Sequence, residues 1–151
     1  MLQWLRSIIT VAVLVALSAS GASANTDDPC SVFVGDGMRD GTMAALVGNY
    51  STAAHTFQRV AVGYAQCSVA FHRKGQHRRS IYAQLQAADA LWAAASAFYG
   101  ANDDANARVG YRMALRSAKV VIADGTEGDY VSDARSYVEE WTAKARRWGL
   151  T

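Results

Sequence analysis

From Arg39 onward, apolar positions recur every three or four residues, the spacing that lines up one face of an α-helix. Strand signals, meaning β-branched alternation bounded by turn pairs, are absent, and the only proline is Pro29. Asn25 to Asp36 reads as an extended lead, and Arg39 to Val47 as a short helix ended by Gly48-Asn49. A long helix follows from about Ser51, read as its N-cap, to Arg73, with Gly75 closing it. The next spans about Gln76 to Tyr99 and ends at Gly100. Asn102-Asp103-Asp104 opens a third long helix, which stops at Asp124-Gly125; acids in a first turn suit the helix dipole. The last runs from about Asp129 to Trp148.

Connections of only a few residues force successive helices to pack antiparallel. The expected fold is therefore all-α, four long helices plus one short, occupying residues 37–151. Ile81, Leu85, Ala88, Leu91 or Trp92, Ala95 and Phe98 form the apolar face of the second long helix. Alanines beside rings let helices approach while the rings fill the gaps, so these aromatic stripes read as core rather than as a cofactor box.

The first 24 residues have a different character. Arg6 supplies a positive start, Ile8 to Leu17 an apolar run, and Ala22-Ser23-Ala24 a small-residue cleavage pattern. The run is well short of the roughly twenty apolar residues a membrane span needs. The expectation is a secretory signal over 1–24, with Asn25–Thr151 working in the periplasm or outside the cell. Formal charge is +2, and losing Arg6 lowers it by one, so global charge does not point to nucleic acid or membrane. An electrostatic function must come from local clustering.

Two cysteines in an exported chain suggest a disulfide, Cys30–Cys67, which would stabilise by roughly 3–4 kcal/mol. Cys67 also lies on the apolar stripe Phe57, Val60, Tyr64, Cys67 and Phe71, where a buried thiol fits equally well.

Groups that could carry chemistry are sparse. His72 and His77 flank Gly75, His55 lies about a helix length away, and no cysteine or carboxylate completes a metal set. No nucleophile elbow, phosphate loop or dinucleotide fingerprint occurs, and Asp27-Asp28, Asp103-Asp104 and Glu139-Glu140 suit capping or solvation. The chain is read as no enzyme, with no catalytic residue, metal or cofactor. Nucleic acid is discounted too, because no aromatic–basic interleaving suggests base stacking.

Positive charge is concentrated in FHRKGQHRRS, residues 71–80. Arg73 and Lys74 end a helix, where cations are favourable, but Arg78 and Arg79 begin the next one, where each costs about a few tenths of a kcal/mol. A second feature is the row Arg108, Arg112, Arg116 and Lys119, on one face, where like charges repel by roughly 0.2–0.5 kcal/mol per pair. Each cluster has two readings. One is an anion-facing surface; the other is a solvated face, the row being neutralised by Asp133, Glu139 and Glu140.

The segment LWAAASAFYGANDDANARVGYRMAL resembles a tetratricopeptide repeat. Leu91, Ala94, Ala95 and Phe98 match its first helix, and Ala107, Tyr111 and Ala114 its second; the expected proline is absent. GNYSTAAHTFQRV resembles the second half of another unit, with Gly48 and Tyr50 at the turn and Ala53, Phe57 and Val60 toward the partner helix. Ala53 and Ala107 are 54 residues apart, against a family period of about 34. The resemblance implies a right-handed array of helical hairpins whose groove holds a segment of a partner protein; a small antiparallel helical bundle with the same spacings is the alternative. Candidate contacts are Tyr64, Tyr82, Trp92 and Tyr99, with the basic turn Arg73, Lys74, His77, Arg78 and Arg79. An acidic protein partner is the first expectation; an anionic lipid or small anion in the bundle interior or at the basic turn is the alternative.

Overall fold

The computed structural model describes residues 34–125 and 128–151, so the proposed signal, Pro29 and Cys30 lie outside the described residues. Five helices and no strand occur among them. They are α1 (Val34–Leu46), α2 (Tyr50–Arg73), α3 (His77–Gly100), α4 (Asp104–Asp124) and α5 (Asp129–Arg147).

The three inner turns share one construction. Gly48, Gly75 and Asn102 have φ of +79°, +70° and +59°, the left-handed conformation that ends a helix. After each, the next amide reaches back across the turn: Asn49 donates to the Ala44 carbonyl, Gln76 to Phe71 and Asp103 to Phe98, all at 2.9 Å. Gly149 (φ +68°) closes α5 the same way, with Leu150 donating to the Ala145 carbonyl at 2.9 Å. Positions 48, 75 and 102 are evenly spaced, so α2 and α3, each with its turn, form 27-residue units. Two units make a hairpin, which accounts for the 54-residue interval between Ala53 and Ala107. Asn49 caps α2 by accepting from the Thr52 amide at 3.3 Å, and Asp103 caps α4 by accepting from Asn106 at 3.1 Å.

Several expected boundaries move. Asn49, not Ser51, caps α2, whereas α3 ends at Gly100 as expected, with Asn102 the left-handed residue of the turn that follows. The larger correction is α1, which begins at Val34, inside the segment read as extended. Its glycines are contact points. A Cβ on Gly37 would come within 2.5 Å of Val60, and one on Gly41 within 2.6 Å of the Phe57 ring. These glycines are what lets α1 lie close on α2.

Each helix packs on its successor, and α3 also reaches α5. The short turns make successive helices antiparallel, so α3 and α5 run parallel. Val60 and Ala61 cluster with Ala90 midway along the α2–α3 pair, and Cys67 and Phe71 with Ala83 near its turn. Beside them, the buried hydroxyls of Ser68 and Ser80 lie 3.1 Å apart. Cys67 is buried and carries no free thiol. Gly110 faces Ala95, where an added Cβ would meet the alanine methyl at 3.0 Å, so α3 and α4 touch through minimal side chains. Ala94, Ala95, Phe98, Ala107, Tyr111 and Ala114 are buried in one cluster, with Leu91 packed against it.

A stack of rings joins α3 to α5. Tyr137 lies on Trp141 (4.8 Å), Trp141 on Trp92 (5.5 Å), Trp92 on Trp148 (5.4 Å) and Trp148 on Tyr99 (4.7 Å). Tyr111 meets Trp92 edge-on at 6.2 Å.

Candidate groove between α2, α3 and α5

The basic turn has a structural answer to its charge. No acid lies in the first turn of α3, so the dipole cost at Arg78 and Arg79 stands. Each guanidinium instead lies over a ring: Arg79 is 4.3 Å from the Phe71 centroid and Arg78 5.8 Å from that of Tyr130. Such contacts contribute about 0.5–1 kcal/mol at exposed sites, enough to outweigh a dipole cost of tenths. Arg79 also donates to Gln76 Oε1 at 3.2 Å. Among the described residues, no carboxylate lies within ion-pair distance of Arg78.

These arginines line an open cavity of about 350 Å³. Tyr64 and Phe71 come from α2, Tyr82 and Ala83 from α3, and Tyr130 from the first turn of α5. Tyr82 and Tyr130 are 5.4 Å apart, and Tyr82 is 45% exposed. The lining is apolar in area, with two cations at its rim and phenol hydroxyls as donors. It can take a rod-like group with an aromatic or aliphatic body and an anionic end. It offers no nucleophile–base pair.

Farther along α3, Asp89 supplies opposite charge, about 10 Å beyond Tyr82 by the rise of seven helical residues. Partial burial, then the nearby Glu140 carboxylate, hold its carboxyl above the usual range. Tyr64 is raised by burial first, then by Tyr82 and Asp89. Tyr137 is raised by burial, then by the charges of Asp89, Asp133 and Glu140 and by Tyr82. Positive charge thus borders the cavity at the α2–α3 turn, and Asp89 lies farther along α3, outside the cavity lining.

Four of the expected contact residues, Tyr64, Arg78, Arg79 and Tyr82, meet here. The others do not. Trp92 is 7% exposed within the ring stack, and Tyr99 lies half-buried on Trp148, so these two belong to the core. His77 donates from Nε2 to the Asp124 carbonyl at 3.1 Å, fastening the end of α4 to the start of α3. Arg73 and Lys74 are exposed beside the turn without lining the cavity. Tyr130 and Asp89 were missed. Asp89 carried a signal, being the lone acid in the 24 residues of α3; Tyr130 carried none, because its neighbours are about fifty residues away.

The arginine row also differs from its solvated reading. Arg108, Arg112, Arg116 and Lys119 are exposed, and none makes an ion pair among the described residues. None of the acids expected to neutralise it, Asp133, Glu139 or Glu140, forms an ion pair with the row; Glu140 pairs with Lys144 instead. Arg108 donates to the Gly149 carbonyl at 3.1 Å.

No family model, curated protein or solved structure matches this chain.

Proposed function

We propose that the chain is an exported, non-enzymatic interaction module, a tetratricopeptide-like set of helical hairpins that holds an acidic segment of a partner protein. The observation that carries this reading is the convergence of Tyr64, Phe71, Tyr82 and Tyr130 with Arg78 and Arg79 around one open cavity. Rigid rings give contact area at low entropic cost, and arginine fixes a carboxylate with directed hydrogen bonds. The arginines select orientation: the acidic end of the partner lies at the turn.

The test is affinity capture from an envelope extract at low and high salt, comparing wild type with Tyr82→Ala and with Arg78→Glu/Arg79→Glu, each checked for unchanged helicity. A protein retained by wild type and lost by both variants supports the reading. Equal recovery by all three overturns it. Cavity size also favours a second reading, because about 350 Å³ falls within the range of small-ligand clefts. A co-purifying anionic compound, released by Tyr82→Ala, would decide for that one.

A further inference from the structure

We propose that the outer face of α4 is a peripheral docking surface for an anionic phospholipid bilayer, separate from the groove. Arg108, Arg112, Arg116 and Lys119 repeat at four, four and three residues along one face, about 16 Å from end to end by helical rise. These neighbours repel one another, and no carboxylate among the described residues is paired with any of them. The row therefore destabilises the isolated fold and is complementary to an external negative surface.

Beside the cations runs an apolar strip. Val109, Met113 and Val120 are 37%, 40% and 39% exposed on the same helix, to one side of the row. A shallow depression of about 500 Å³ beside Arg112, Arg116 and Lys119 is lined also by Leu115, Val120 and, at the end of α4, the acid Asp124. A row of long cations flanked by exposed apolar groups suits a bilayer boundary, where the apolar groups sink between headgroups while the charged ends extend to the phosphates. No described helix is long and apolar enough to cross a membrane, so contact through this face is peripheral.

The experiment is vesicle co-sedimentation of the full chain. It compares phosphatidylglycerol–phosphatidylcholine (30:70) with pure phosphatidylcholine, at low and at high salt. The N-terminal segment, with Arg6, is common to wild type and variants, so the difference between them on anionic vesicles reads the charged face. Each cation at an anionic surface raises partitioning about fivefold. Arg112→Gln/Arg116→Gln/Lys119→Gln should therefore lower binding to the anionic vesicles roughly a hundredfold, with helicity unchanged. Arg78→Gln/Arg79→Gln should leave most of it intact. Equal binding to both lipids, no binding to either, or equal loss in the two variants would overturn the proposal.

Discussion

Trp92 is the residue whose replacement tests the packing most directly. It was grouped with the groove by its position along α3, yet it lies beneath the surface between Trp141 and Trp148, with Tyr111 at its edge. A tryptophan buries about 200 Å², worth about 5 kcal/mol at 25 cal/mol per Å². Measured Trp→Ala costs in cores run at about 3–5 kcal/mol, because neighbours relax partly into the cavity. Trp92→Ala should then cost about 4 kcal/mol, a large part of the 5–15 kcal/mol typical of a domain. In urea, with a slope of about 2 kcal/mol/M, the midpoint should fall by about 2 M with the slope unchanged. Far-UV circular dichroism is the appropriate probe, since removing Trp92 alters the fluorescence of the tryptophans stacked on it. Trp148→Ala, at a half-buried position, should cost less, and the double mutant should reveal a coupling of about 1 kcal/mol. A cost below 1 kcal/mol for Trp92→Ala would refute the assignment of this ring to the core and return it to the binding surface.

Three further outcomes follow from the same geometry. Gly41→Ala places a methyl 2.6–2.9 Å from the Phe57 ring, so overpacking of about 1–3 kcal/mol should outweigh a helix-propensity gain of about 1 kcal/mol, and a higher melting temperature would contradict the α1–α2 contact. Asp89 has its carboxyl raised above 3.8, so unfolded chains lose this proton first and stability falls as pH rises from that value through the folded one. Asp89→Asn should therefore raise the melting temperature at pH 7 and leave it nearly unchanged below about pH 3.5; an equal effect at both pH values would rule out the charge as the cause. A Cys30–Cys67 disulfide, one of the two readings of the sequence, would leave no titratable thiol in denaturant without reductant and cost roughly 3–4 kcal/mol on reduction, whereas two thiols titrating without reductant would rule it out.

The helices and most of their ends were legible because each turn is written in local chemistry. Gly48 and Gly75 advertise left-handed backbone, and Asp103 a cap. Gly100 marked the end of α3, while the left-handed residue of that turn is Asn102, which tolerates the conformation glycine usually takes. The start of α1 was hidden for a different reason. Gly37 and Gly41 weaken a helix taken alone, and their value appears only when Val60 and Phe57 lie against them. Tertiary contact reversed the local preference.

The groove was half legible, and the division has a physical basis. Arg78 and Arg79 drew notice because cations at a helix start conflict with its dipole, and that conflict is local. What resolves it, Phe71 and Tyr130, depends on where α2 and α5 lie relative to α3. Helix periodicity gives the face of α3 that carries large side chains but not how much of it α5 covers. Along the parallel α3–α5 seam, Trp92 meets Trp141 and Trp148, and the space is filled by stacked rings. Toward the turn, Tyr82 meets only the first turn of α5 at Tyr130, and the seam opens into the cavity. Asp89 lies between these two regimes, too buried to be well solvated and too polar for the stack.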